Sequence, residues 1–370
     1  GSELYARKGG VWSQLPLTSI VSDSTVVDRK LLTNRDVSSS GVASEKMTLS
    51  RIDMSYAAND PKRSDIMQLL SLRQVGAVMH SSPLLLSNAG KVGYDANNKV
   101  VTSNREDYVL FGTTQGILHV VKADDYSSAS QGGKEVFAFV PHEMIERQSK
   151  AFLTPDQATG GTTNLFYGID APWTAYTEYV PKSDTDTTLT VGTGKTVTID
   201  DKTSETLQGK QLVYGGLRMG GRSYYALDLK NMNSPQLKFH INPDAALAGT
   251  PLSYMGESWS KPKIAWVNWN GSRKLVMFVG GGYDAGGVPA TTPPTTNAGL
   301  GSKNNNGGYE LDNYNQTNGI GAGVYMFDAL NGDLLWWASD NASVGPTTAT
   351  NGIPATENSG VIALKDPNLK

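Results

Sequence analysis

The chain has 370 residues, no cysteine and a formal net charge of −3. These numbers exclude thiolate catalysis, zinc–thiolate sites and disulfide staples, and they give no global attraction to nucleic acid or an anionic membrane. Forty glycines, 16 tyrosines and 7 tryptophans beside 8 phenylalanines favour many strands joined by tight turns.

Residues 1–75 read as an irregular N-terminal region with one short helix, packing on the remainder of the chain. Within it VSSSGVASEK (37–46) reads as loop. DIMQLLSLRQV (65–75) is the helix, with Ile66, Leu69 and Leu70 on one face and Ser64 as its cap. No apolar run reaches the length of a membrane span. No signal peptide opens the chain, and Gly1-Ser2 reads as a cloning remnant. The chain is therefore expected to be an excised piece of a longer protein.

From residue 76 to 370 the texture changes to short apolar runs separated by Gly, Pro, Asn and Asp. Three units align. The first is VMHSSPLLLS (78–87), DYVLFGTTQG (107–116), ILHVVKAD (117–124) and EVFAFVP (135–141). The second is DAPWTAYTEYV (170–180), QLVYGGLRMGG (211–221), RSYYALDL (222–229) and QLKFHIN (236–242). The third is SKPKIAWVN (260–268), KLVMFVGGG (274–282), VYMFDAL (324–330) and LLWWAS (334–339). Pro83, Pro172 and Pro262 recur 89 and 90 residues apart, and Asp124, Asp228 and Asp328 recur 104 and 100 apart. A repeating four-strand unit predicts an all-β fold: a modified β-propeller of four-stranded antiparallel blades with long insertions, forming a partial ring. A β-sandwich is the alternative, and the same order of cues in all three units favours the propeller. The insertions are 181–210, a β-excursion, and 284–322, rich in Gly, Asn, Thr and Pro. The tail SGVIALKDPNLK (359–370) reads as the start of another unit.

Chemistry-bearing motifs are few. VGTGKT (191–196) lacks the first glycine of a phosphate-binding loop, because Leu189 stands there, and VTID (197–200) reads as strand. His80, His119, His142 and His240 have no metal-ligand spacing and are expected to be packed or surface residues. GESWS (256–260) ends in Ser260 where a nucleophile elbow needs Gly. Oxygen-rich stretches suit a hard cation, which makes Asp95, Asn97, Asp184, Asp186 and Asp312 the candidate calcium ligands. Turn chemistry explains the same residues without metal, and Lys99 stands where DANNK would need a third ligand.

VYMFDALNGDLLWW (324–337) resembles one repeat of a quinone-dependent dehydrogenase. As a set, HSSP (80–83), DYVLFGTTQGILHVV (107–121), EVFAFVP (135–141), GGLRMGGRSYYALDL (215–229), ESWSKPKIAWV (257–267) and MFVGGGYD (277–284) resemble the C-terminal domain of the PilC/PilY family, adhesins at the tips of bacterial type IV pili. The resemblance runs from about residue 65 to 340. It implies a quinoprotein-like propeller exported to the pilus tip and surface of a Gram-negative bacterium. It implies minor pilins as partners, with a host-surface receptor or DNA as further ones. The implied role is non-enzymatic, in pilus assembly, adhesion, twitching motility or DNA uptake. The family's Asp-rich calcium loop is absent here, which places any calcium beyond Lys370 rather than within the chain. Two other functions stay open: a pyrroloquinoline-quinone-dependent dehydrogenase fragment, and a DNA-binding competence module. The first needs a complete ring and a central calcium. The second needs a basic stripe with interleaved aromatics, and none stands out.

Overall fold

The structure, a computed structural model, describes residues 29–53, 56, 59–72, 75–124, 132–152, 166–285 and 320–339, with 11, 15, 19–21, 24–26 and 359–360. A short hairpin pairs Ser19–Val21 (β1) with Ser24–Val26 (β2). Two longer strands come next, Leu31–Val37 (β3) and Ala43–Arg51 (β4). They correct the reading of 37–46 as loop and of the N-terminal region as irregular: only 38–42 turn, with Gly41 at φ 78°. Arg63–Ser71 (α1) buries Ile66, Leu69 and Leu70 as expected. Its start is fixed not by Ser64 but by Asp60, whose Oδ1 accepts from Lys62 N at 2.8 Å.

The three expected units are all present. The first holds Leu84–Tyr94 (β5), Val100–Gly112 (β6), Leu118–Lys122 (β7) and Glu135–Phe139 (β8) in antiparallel order. His142–Gln148 (α2) comes after it. The second unit opens with Thr174–Glu178 (β9). The insertion then makes Val180–Pro181 (β10), Leu189–Thr190 (β11), Thr193–Asp200 (β12) and Thr203–Gln208 (β13). The unit closes with Lys210–Gly216 (β14), Tyr224–Asp228 (β15) and Gln236–Ile241 (β16). The third holds Lys263–Trp269 (β17), Ser272–Gly280 (β18), Gly323–Asp328 (β19) and Leu334–Ser339 (β20).

The first unit does not stand alone. Its sheet runs β10-β11-β5-β6-β7-β8-β3-β4, eight strands, because the second unit's insertion pairs on one edge and the N-terminal strands on the other. The described part of the tail, Ser359–Gly360 (β21), pairs parallel on β20, and the rest of the tail, expected to start another unit, lies outside the described residues.

Alternation along the second unit explains the stacking. Val213, Tyr225 and Leu227 point into a core shared with Leu110, Val120, Phe137 and Phe139 of the first unit. The intervening Leu212, Tyr214, Tyr224 and Ala226 point into a core shared with Leu275, Met277, Tyr325 and Phe327 of the third. A central sheet buried on both faces is a middle blade, and it answers the sandwich alternative, which has only two layers. It also explains why LVYGG and YYALD read as unbroken apolar runs.

Each second strand ends on glycine, at Gly112, Gly216 and Gly280. In the first and third units the serine two residues before the proline accepts the glycine's N–H: Gly112 N to Ser81 Oγ at 2.8 Å, and Gly280 N to Ser260 Oγ at 3.0 Å. This is the physical content of the SxP repeat. At the third-to-fourth strand turn of the third unit, Asp328 Oδ1 accepts from Leu330 N at 2.8 Å, and Gly332 takes φ 80°. A Cβ at Gly332 would meet the Phe239 ring of the second unit at 2.6 Å, so this turn is also an inter-unit contact. Trp337 is buried in that same core, stacked on Tyr254.

Candidate functional site

The described candidate calcium ligands do not converge. Asp95 and Asn97 sit in the β5–β6 turn, where Asp95 Oδ1 accepts from Asn97 N at 2.8 Å and Lys99 N at 2.9 Å. Asp184 pairs with Lys195 at 2.8 Å. Asp186 Oδ1 accepts from Thr188 N at 3.0 Å, and its hydrogen bonds to Thr188 hold its carboxyl below the usual range. Asp312 lies outside the described residues. Among the described residues no three His, Asp or Glu side chains are grouped to hold a metal ion. Asp95 and Asp186 thus serve turns, and Asp184 a surface ion pair.

Three histidines instead meet carboxylates at joints between elements. His119 Nδ1 donates to Glu135 Oε2 at 2.6 Å, and Arg29 Nε donates to Glu135 Oε1 at 2.6 Å, all three side chains being buried. Burial pushes the imidazole down, so it stays neutral, while the bonds from His119 and Arg29 overcome burial and hold the Glu135 carboxyl at about 2. His240 is held between β4 and α2. Its Nδ1 bonds Glu45, and its Nε2 lies 2.8 Å from Ser223 Oγ and 3.5 Å from Glu143 Oε1. Ser223, His240 and Glu45 thus have the order of a hydrolytic triad. Two observations oppose that use. Ser223 is fully buried, and although burial alone would lower the imidazole, its bonds to Glu143 and Glu45 raise it to about 9. A fixed imidazolium cannot accept a serine proton near neutral pH. The cluster ties the N-terminal strands to the second unit.

The third histidine lies where the starts of all three first strands meet. His80 Nδ1 reaches Asp170 Oδ2 at 2.8 Å, with the histidine side chain 41% exposed and the carboxylate buried. Arg218 Nη1 reaches the same oxygen at 3.3 Å. The Arg218 guanidinium lies 4.0 Å over the ring of Trp259, which stacks on Tyr283 at 4.7 Å. Arg218 holds φ 51°, a left-handed conformation uncommon outside glycine. The cluster therefore joins the first unit (His80), the second (Asp170, Arg218) and the third (Trp259, Tyr283). Asp170 holds the position that Ser81 and Ser260 hold in the other units, and its carboxylate is diverted to this junction. Serines near the junction serve the backbone: Ser258 Oγ accepts from Leu217 N at 2.7 Å and donates to Gly221 O.

Surface display comes from the hairpins. β5 and β6 extend beyond the unit, and their tip exposes Val92, Tyr94, Val100 and Val101, with Tyr94 72% exposed and paired opposite Val100. Beside it a groove of about 210 Å³ is lined by Val92, Thr102, Arg105, Tyr179 and Leu189, among others. The insertion adds the β12–β13 hairpin, with Ile199 exposed. Its first arm is less free: Val191 is buried and its N–H donates to Asn88 O at 2.9 Å.

Sequence reasoning missed Arg218, Asp170, Glu45 and Glu143. Arg218 has a partial signal, a large cation inside the glycine run GGLRMGG, where a backbone of unusual conformation is expected. Glu45 has none, since it lies 195 residues from its partner.

No protein-family model matches the chain, and no curated protein matches it. Among solved structures it is similar to the C-terminal domain of Pseudomonas aeruginosa PilY1, at 17% identity and a TM-score of 0.34, over 68% of this chain. The chain spans 35% of the length of that structure. Among the described residues no helix is long and apolar enough to cross a membrane.

Proposed function

We propose that the chain is a non-enzymatic module of a type IV pilus tip or biogenesis factor, exported to the bacterial surface, which presents hairpins to protein partners from a rigid stack of blades. The observation that carries this reading is the contrast between core and hairpins. The buried charged groups are spent on joints, as with His240 between Glu45 and Glu143. Of the large exposed apolar side chains, Val92, Tyr94, Val100, Val101, Tyr179 and Leu189 lie on the β5–β6 tip or its groove. A cluster of exposed apolar side chains marks an interaction surface. The motif set from HSSP to MFVGGGYD supports the pilus assignment and, with it, minor pilins as the partners and pilus assembly and adhesion as the outputs.

The test is binding of the purified chain to purified minor pilins, compared with the double substitution Tyr94→Ser, Val100→Ser. The expected result is saturable binding to at least one minor pilin that falls at least tenfold in the variant at an unchanged thermal midpoint. Absence of binding to every minor pilin would overturn the assignment, and equal binding by the variant would move the surface elsewhere.

A further inference from the structure

The β17–β18 hairpin closes through the two-residue turn Asn270-Gly271, with φ 51° and 77° and Trp269 paired to Ser272. This is the turn that fixes strand register most tightly, so side chains near it are held in place. On one face Asn268 stands opposite Arg273, and Trp266 is the next residue along β17 on that face. Trp266 is 41% exposed, yet its ring is fixed. Its Nε1 donates to Tyr176 Oη at 2.9 Å, and Tyr176 meets it edge-on at 6.4 Å. Tyr176 in turn bonds Glu178, whose other oxygen pairs with Lys210 at 2.7 Å.

The Arg273 guanidinium lies 4.4 Å over the Trp266 ring. Among the described residues no acceptor takes any of its side-chain N–H groups and no carboxylate pairs with it. Glu178 is in electrostatic reach, but its oxygens are taken by Tyr176 and Lys210. Among the described residues an arginine thus lies on a tryptophan twice. At the unit junction the Arg218–Trp259 pair carries its own carboxylate, Asp170, at 3.3 Å. At the hairpin the same pair faces a recess of about 350 Å³ lined by Trp266, Val267, Asn268, Gly271 and Arg273.

We propose that this hairpin is a binding site for an anionic group, a carboxylate or a phosphate, carried on a planar or apolar body. A guanidinium held over a ring, with none of its N–H groups taken by an acceptor among the described residues, can grip a carboxylate or phosphate through two parallel bonds. The Asn268 amide supplies a further donor across the strand pair. The exposed part of Trp266 takes the body of the ligand.

The test uses the ¹⁵N-labelled chain and the indole N–H signal of Trp266, assigned by its loss in Trp266→Phe. Three probes are titrated at low ionic strength: phenyl phosphate, benzoate and neutral benzyl alcohol. The expected result is a saturable shift with phenyl phosphate, benzoate or both, weakened at least tenfold in Arg273→Gln and unchanged in Lys91→Gln on the first unit. A response to phenyl phosphate alone assigns the site to phosphate, and a response to benzoate alone assigns it to carboxylate. The proposal is overturned by no saturable shift with either anion, by equal affinity in Arg273→Gln, or by benzyl alcohol binding as tightly as the anions. The same spectra show whether each variant is folded.

Discussion

Raising the pH from about 5.5 to about 9.5 is expected to remove ~3 kcal/mol of folding stability at one residue, His240. The side chain is 2% exposed and held by Glu45 from β4 and Glu143 from α2. Burial opposes the charge, yet the two carboxylates raise the folded value from 6.5 to about 9. The folded state therefore holds the proton more tightly than the unfolded chain. The stabilisation is fully present below the unfolded value near 6.5 and is lost as the pH rises through about 9. At ~1.4 kcal/mol per unit, the difference gives the ~3 kcal/mol above. Glu143, held down to about 2 by His240 against its own burial, reports the same contact from the carboxylate side and is not added. The assay is urea unfolding at both pH values for the parent and His240→Asn. Stopping near pH 9.5 keeps clear of the buried tyrosines, whose raised values make their ionisation a separate destabilisation at higher pH. His119 and His142, held low by burial, gain stability over the same range in both proteins, so the stated amount is the difference between the parent's change and the variant's. An equal change in both proteins would refute the clamp.

Three further outcomes are expected from the packing and the site chemistry. Gly332→Ala forces alanine to φ 80° against Phe239 and should cost ~2–4 kcal/mol, whereas Gly271→Ala, at φ 77° with nothing within 4 Å, should cost only ~1–2, both read by denaturant unfolding. Ser81→Ala leaves the buried Gly112 N–H without its acceptor and should cost ~1–3 kcal/mol; the partly exposed Ser260→Ala, where water can replace the hydroxyl, should cost less. Incubation with calcium and pyrroloquinoline quinone should give neither a stoichiometric quinone spectrum nor alcohol-dependent dye reduction, and the appearance of both would make the chain an enzyme.

Most strands were legible because the repeat is written in backbone chemistry. Proline before each first strand, glycine at the end of each second and, in the second and third units, aspartate at the end of the third arise from local turn and ladder requirements, so they survive in a single sequence; in the first unit Lys122 holds that register position and Asp124 lies two residues beyond it. β3 and β4 were not legible. ASEKMTLSR alternates too weakly to show a strand, since β4 is a sheet edge with mostly exposed or half-buried residues. The pairing of β11 with β5 was hidden for a related reason: two residues carry no period, and the partner lies a unit away. The histidine clusters were invisible because each takes at least one partner from 90 or more residues away in the chain. His119 and His240, expected to be packed or surface residues, both have buried side chains, and that reading was silent as to charge. The cation reading of Asp95 and Asp186 rested on composition, while the structure shows each accepting backbone N–H groups of its own turn.

The most direct test of the display reading is surface piliation and adhesion in bacteria whose parent protein carries one of three changes. The first replaces 196–206 with a two-residue turn, which shortens the β12–β13 hairpin but keeps Val191 and the Thr193–Gln208 pair in place. The second is Tyr94→Ser with Val100→Ser. The third is His80→Ala at the unit junction. The account predicts that at least one hairpin variant loses piliation or adhesion with its unfolding midpoint unchanged, while His80→Ala retains both. Normal piliation and adhesion in both hairpin variants, with loss only in His80→Ala, would contradict it and place the function at the junction.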